Sequence, residues 1–414
     1  MDLFNSEPLL QFPVTAYLMN RDSKGALRIV ELSCYWEDKE HAYAIKRITG
    51  ILYMKQTEQP IIYIRKGKSN RTVTEQARLE YNSRLKEYKD KGYKELDKNF
   101  SEYEFKELDE IAGEYKTTQE GLLKPMLAKQ YQDVTNKKVF DKVYYGSRKI
   151  NGVRAELWFD GKEIHAHSRG SISYDLVLDH ILTHPLLLKL FKANPDLILD
   201  GEIYKFGWTL NKISGICRSQ KTAYDGEPLE FYMYDIVDVN LSFIDRLRKL
   251  IQIKKLLRLT FDPERDWNDD DLKIQIVPQI KVSGFDNMMY LHDKYVSEGW
   301  EGLVVRLATA KYGPGKRTND MIKIKKYFDS EYKIVGLKEG LRPEDMCFTM
   351  ETVNGQQFNA KPIGDRAQKQ WYRDNLDNII GKMATLKYFE MSGKEGSEVP
   401  QQPILLSIRD YEDS

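Results

Sequence analysis

Short runs of alternating apolar and polar residues open the chain. Residues 15–19, 27–32 and 61–65 each predict a strand, with Asp22-Ser23-Lys24-Gly25 turning between the first two. From residue 74 to 92 the period lengthens to that of a helix. Thr72 with Glu75 three residues on predicts a capping box, and Gly92 predicts the stop. This small α+β module should end near residue 115, and the polar residues 115–121 read as a linker. Beyond it strands and helices mix. Residues 143–149 and 155–159 predict strands on either side of an Asn151-Gly152 turn, and Asp160-Gly161 predicts a hairpin. Strands follow at 197–204, 230–237 and 302–307, with helices at 243–259 and 288–297. After Tyr327 come five short strands, at 332–337, 347–352, 357–361, 383–389 and 404–408, with Asn354-Gly355 turning between two of them. Such a run fits a small barrel.

The chain has 414 residues, too many for one ordinary core, and 64 basic residues nearly balance 63 acidic ones. That balance excludes an indiscriminate polycation and leaves room for a local basic face. Cys34, Cys217 and Cys347 are odd in number and far apart, which argues for a reducing, cytoplasmic setting and against a disulfide framework. No apolar run approaches membrane length, and the first residues lack the features of a secretory signal.

The candidate chemistry begins at Lys149-Ile150-Asn151-Gly152-Val153-Arg154. Asp200-Gly201-Glu202, residues 231–236, Glu301-Gly302 and Lys323-Ile324-Lys325 follow at wide spacing. A lysine amine is a nucleophile only as the free base, which neighbouring cations favour. Moving a nucleoside monophosphate onto it requires carboxylates for a divalent ion, for which Glu202 and Glu301 serve. It also requires fixed positive charge for the phosphoryl oxygens, for which Lys323 and Lys325 alternate on one strand. Tyr234 or Phe231 offers a flat partner for a base. His165 and His167 alternate on a strand and His180 and His184 are helically spaced. Without a third ligand they read as packed or surface histidines.

Taken in order, these motifs resemble those of the covalent nucleotidyltransferases, and specifically the ATP-dependent DNA ligases, over residues 123 to 413. Lys149 to Arg154 resembles the motif whose lysine becomes adenylated and whose arginine contacts the nucleotide. Ser168-Arg169-Gly170 is similar to the arginine motif that touches the nick. Leu199-Asp200-Gly201-Glu202 resembles the motif whose glutamate contacts ribose or metal, and Tyr232-Met233-Tyr234-Asp235-Ile236 the one that lays Tyr234 on adenine. Residues 300–306 and 321–325 resemble the motifs that supply Glu301 for metal and Lys323 and Lys325 for the α-phosphate. Leu123-Lys124-Pro125-Met126-Leu127-Ala128 is similar to the family's lead-in. Arg409 matches the group that orients pyrophosphate.

The resemblance implies an α+β multidomain chain. Residues 1–115 lie outside that resemblance; their strands and charged helix look instead like a WGR-type DNA-end module, an accessory DNA-binding part. Residues 116–328 would be a nucleotidyltransferase (ATP-grasp-like adenylation) domain, and 329–414 an OB-fold β-barrel hinged near residues 327–331. The ligase resemblance implies ATP and Mg²⁺ or Mn²⁺, a monomer, and nicked double-stranded DNA as partner, contacted by Arg169. In the N-terminal module the basic loop with Arg65, Lys66, Lys68 and Arg71 reads separately as a candidate for lying on a phosphate backbone. Two departures stand out: Asn151 occupies the family's usual aspartate position, and residues 408–413 lack the terminal lysine. The rival readings are an RNA ligase or capping-type enzyme with the same lysine chemistry, and a nick-binding protein without catalysis.

Overall fold

The computed structural model describes residues 11–22, 25–118, 121–219, 228–268, 271–340, 345–388, 391–393 and 396–409. The sequence readings at residues 1–10, 23–24, 119–120, 389 and 410–413 lie outside them. Two compact units result, Met1–Leu291 with Val304–Lys323, and His292–Leu303 with Ile324–Ser414. Among the described residues no helix is long and apolar enough to cross a membrane.

The N-terminal strands are β1 (Val14–Arg21), β2 (Leu27–Glu37), β3 (Ala42–Ile51), β4 (Gln56–Glu58) and β5 (Ile62–Ile64). Helix α1 (Val73–Asp90), β6 (Lys94–Leu96) and α2 (Phe105–Ala112) follow. The sheet runs β4-β3-β2-β1-β6, with β5 on β3. One face buries Leu18, Val30, Leu32 and Ile45 with Ala77 and Tyr81 of α1, and the other buries Met19 and Ile29 with Leu108 and Ala112 of α2. Helix α1 starts with the expected capping box at Thr72 and Glu75, and Gly92 follows it at φ 84°; such a cap contributes about 1 kcal/mol. Strand β3 was not among the expected elements. Lys46 and Arg47 interrupt its apolar pattern, although Ala42, Ala44 and Ile45 are fully buried. The described residues of the expected linker at 115–121 are paired with those that follow: Lys124 N donates to Lys116 O at 2.9 Å and Thr118 N to Leu122 O at 2.7 Å.

Next come β7 (Leu127–Gln130), β8 (Val143–Arg148), β9 (Val153–Phe159), β10 (Ile164–His167), α3 (Asp179–Leu182), α4 (Pro185–Ala193) and β11 (Leu199–Tyr204). They are followed by α5 (Leu210–Ser219), β12 (Glu230–Ile236), α6 (Phe243–Leu256), β13 (Ile274–Ile276), β14 (Ile280–Ser283), α7 (Phe285–Ser297), β15 (Gly302–Leu307) and β16 (Arg317–Lys325). They form two sheets, β10-β9-β11-β12-β13 and β14-β8-β15-β16-β7. Strands β8 and β9 therefore belong to different sheets. The Asn151-Gly152 turn is a crossing from one sheet to the other, and it delivers Lys149 between them.

The second unit contains a closed barrel of β17 (Phe328–Glu339), β18 (Met346–Glu351), β19 (Gln357–Pro362), the strand Ile404–Ile408 and β20 (Met383–Tyr388). Alternate residues point inward: Ile334, Phe348, Met350, Ala360, Leu386 and Leu405 are its core. Helix α8 (Arg366–Asp374), between β19 and β20, was not expected from the sequence.

Candidate active site

The sheet crossing is tight. A Cβ on Gly152 would lie 2.3 Å from Ile203 O and 2.8 Å from Glu202 Cγ, so glycine lets the lysine turn press against β11. Lys149 Nζ donates to Ile150 O at 3.3 Å. The turn opens onto a cavity of 510 Å³ whose walls carry Lys149, Arg154, Arg169, Glu202, Tyr234 and Lys323. Its lining comes from the first compact unit. Six of the expected nucleotide residues, drawn from four strands and two turns, thus meet in one cavity.

Tyr234 is the aromatic wall. It is 8% exposed, and its hydroxyl donates to Gly201 O and Glu202 Oε2, both at 3.2 Å. Burial raises the phenol well above its ordinary value, so it remains a donor. The Arg154 guanidinium lies 5.4 Å from the Tyr234 ring centre and that of Arg306 lies 4.9 Å away. Arg154 is held by Asp200 through Nε at 2.7 Å and Nη2 at 2.5 Å, and Nη1 donates to Met126 O at 3.1 Å. Asp200 also accepts from Tyr312 Oη at 2.8 Å. Burial opposes charge on Arg154, yet Asp200 and the two tyrosines hold the guanidinium above its usual value. With its nitrogens so engaged, Arg154 orients the aromatic wall as well as lining the cavity.

Behind Tyr234 lies an ion network that the motif reading did not assign. Asp235 accepts from Arg246 Nε at 2.8 Å and Nη2 at 3.1 Å, and Arg306 Nε approaches it at 3.6 Å. All three side chains are 5% exposed or less. Burial lowers the Arg306 guanidinium, and Asp235 opposes that effect. The signal was present in the sequence: an aspartate within the fully buried strand Glu230–Ile236 demands a buried cation.

Arg169 is exposed at the tip of a turn in which Ser168 N donates to Ile172 O at 2.8 Å. His165 braces this turn: Nδ1 meets Asp175 Oδ2 at 2.9 Å and Nε2 lies 3.3 Å from Asp160 Oδ2. Burial works against the His165 charge, but the two aspartates outweigh it and raise its pKa; Asp160 is lowered to about 2, chiefly by the Glu163 and Lys162 backbone amides that donate to it. The brace stabilises fully below the ordinary histidine value near 6.5 and is lost as pH rises through the raised one. Comparing the thermal midpoints of the parent and His165→Gln should therefore give a gap at pH 5.5 that narrows by pH 8. A gap independent of pH would refute the brace. His167, the neighbouring histidine, is buried 3.3 Å from the Glu156 carboxylate.

The remaining expected residues lie elsewhere. Glu301 and Lys325, both in the second unit, pair with each other at 2.6 Å. Gly302, at φ 141°, has no room for a side chain: its Cβ would stand 2.2 Å from Ile324 O. Arg409 pairs with Glu331 at 2.8 Å. The loop with Arg65, Lys66, Lys68 and Arg71 is exposed; Arg65 pairs with Glu40 at 2.5 Å and Arg71 donates to Gln76 at 3.0 Å.

Two sheets meeting at a lysine turn, with an aromatic wall and a carboxylate on β11, define a nucleotidyltransferase-type fold. Residues 125–325 match the family model described as the ATP dependent DNA ligase domain. A DNA ligase of African swine fever virus (isolate Tick/Malawi/Lil 20-1/1983) is 28% identical over 311 residues, 71% of this chain and 70% of its own. The DNA ligase of Archaeoglobus fulgidus is 28% identical over 185 residues, 43% of this chain and 31% of its own. Among solved structures, a Lig E DNA ligase covers 69% of this chain and 99% of its own, with a TM-score of 0.52 at 23% identity, which bears on fold alone. Over residues 125–325 the chain is thus similar to the ATP-dependent DNA ligases.

Proposed function

We propose that the chain seals a nick through three transfers centred on the 510 Å³ cavity. Lys149 Nζ attacks the α-phosphorus of ATP; a P–N bond forms and the P–O bond to pyrophosphate breaks. The adenylate then passes to the 5′-phosphate of the nick, freeing the lysine. Finally the 3′-hydroxyl attacks that phosphorus, AMP leaves and the phosphodiester is closed. In each step, positioning and charge neutralisation provide most of the acceleration. Lys323 offsets charge on the phosphates, Tyr234 seats the adenine, and Arg154 and Arg306 fix Tyr234.

The single observation carrying this reading is that Lys149 lines one cavity with Glu202, Tyr234 and Lys323. Among the described residues no group of three or more His, Cys, Asp or Glu side chains is placed to hold a metal ion by itself. Mg²⁺ is commonly held by one or two carboxylates together with substrate phosphates, so Glu202 in the cavity wall fits it, and Mn²⁺ equally. Bound there, the ion would neutralise phosphate charge. The resemblance gives Glu301 the same duty, and Lys325 and Arg409 duties toward the α-phosphate and pyrophosphate. Residues 116–328 are the catalytic part in this reading. The barrel, read as an OB domain at 329–414, takes the duplex. Residues 1–115, WGR-like, add grip, to which the Arg65, Lys66, Lys68 and Arg71 loop contributes.

A panel of nicked DNA, nicked RNA and GTP tests the substrate class: sealing of nicked DNA with ATP is expected, and preference for RNA or GTP would overturn it. Tyr234 is tested separately. Losing base stacking in Tyr234→Ala should weaken ATP binding by about 1–3 kcal/mol, roughly five- to 150-fold in KM for self-adenylation. Tyr234→Phe keeps the ring and should lose only about 0.5–1.5 kcal/mol. Equal effects of the two variants would contradict the stacking role.

A further inference from the structure

A second cavity, of 810 Å³, lies between the N-terminal module and the catalytic part of the same compact unit. It shares Pro125, Leu127, Arg169 and Gly170 with the nucleotide cavity, so the two adjoin across the Arg169 turn. Arg28, Lys86 and Lys91 line it from the module, and Lys116, Lys124 and Arg169 from the catalytic side. They outnumber the lining acids Asp22, Glu87 and Asp90.

The walls are tied together. Lys124 Nζ donates to Asp90 O at the end of α1, and Gly315 N donates to Lys124 O at 3.2 Å. The Lys116 stem passes close to Gly315, where an added Cβ would be 2.9 Å from its Cδ. On the module side Asn20 Nδ2 donates to Lys91 O at 3.2 Å. These bonds make the cleft a preformed feature. The pairs within it, Arg28 with Asp22 at 2.9 Å, Lys86 with Asp90 at 2.9 Å and Lys91 with Glu87 at 2.5 Å, are largely exposed at their cationic ends. Such pairs are worth little, and each cation can exchange its carboxylate for a phosphate at small cost.

We propose that this cleft is a phosphate track for the nicked strand. It takes the sugar–phosphate backbone where that strand leaves the nucleotide cavity, with Arg169 at the junction. Charge complementarity and continuity favour it: the adenylate must reach a 5′-phosphate, so a strand has to enter the first cavity, and the adjoining basic cleft is where its next phosphates fall. The proposal rests on the ligase reading for the strand's starting point. It moves the principal contact of the N-terminal module from the exposed 65–71 loop to the face that meets the catalytic part.

The test is a full-length triple variant, Arg28→Gln, Lys86→Gln and Lys91→Gln, titrated with a nicked duplex over a range of salt. Affinity at low salt should fall at least about tenfold, and the plot of log affinity against log salt should become shallower by about two to three. Self-adenylation should proceed as in the parent, with folding read independently by circular dichroism and the thermal midpoint. A control with the same kind of change on α6, Lys254→Gln with Lys255→Gln, should keep the parent's slope. An unchanged slope in the triple variant, or an equal drop in the control, would overturn the track. Loss of self-adenylation in a folded triple variant would overturn it too, by assigning the cleft to the phosphates of ATP. A parent that takes no AMP from ATP would count against the ligase reading alone, since the slope comparison needs no adenylate.

Discussion

Lys149→Ala should take no label from ATP carrying a labelled α-phosphate, and should seal no nick when ATP is the only source of adenylate. The loss is total to the limit of detection, because the variant has no amine to form the P–N bond and no described side chain replaces it at that turn. A more particular outcome separates this from general damage. When the nick already carries adenylate on its 5′-phosphate, the first two transfers are complete, and the lysine forms no bond in the third. The variant should still close that pre-adenylated nick, using Tyr234 to hold the adenine and Lys323 to offset charge. A variant that retains covalent label would remove Lys149 from its role; one that fails on both substrates while folded would make the lysine more than a nucleophile.

Asp235→Ala should lower the folding stability of the first unit by about 3–5 kcal/mol. The carboxylate is the acid facing Arg246 at 2.8 Å and Arg306 at 3.6 Å, all deep in the interior. Removing it leaves two cations without their counter-charge in a medium that solvates them poorly. The loss is large against the 5–15 kcal/mol of a typical domain. A urea titration followed by tryptophan fluorescence reads it directly. Asp235→Asn keeps the shape and one acceptor oxygen and should lose less. Because Arg306 sits 4.9 Å from the Tyr234 ring, the same change should raise KM for ATP under conditions where the variant is folded. A midpoint within error of the parent would show that the network is dispensable.

How far the sequence could be read depended on the range of the signal. Local signals carried well: the Thr72 capping box, the bounds of β15 at Gly302–Leu307, and the Asn354-Gly355 hairpin all concern residues a few positions apart. Alternation also marked the strands of the barrel, where inside and outside differ in polarity. It could not say which strands pair. Residues on both sides of Asn151-Gly152 alternate as a hairpin would, yet β8 and β9 join different sheets, because each finds its partner far along the chain. Likewise the backbone bonds from Lys124 to Lys116 and from Thr118 to Leu122 have no apolar period to announce them. At the site, the motif order brought forward Lys149, Glu202, Tyr234 and Lys323. The supporting ions Asp200, Asp235, Arg246 and Arg306 act through partners 11 to 112 residues away, and spacing alone does not reveal such pairs.

The most direct test of the central claim is to incubate the protein with ATP and a divalent ion, measure its intact mass, and fragment it to find the modified residue. A gain of one AMP is expected, acid-labile as a P–N bond should be, on the peptide containing Lys149. An unchanged mass, or an adduct on Lys323 or any other side chain, would contradict it.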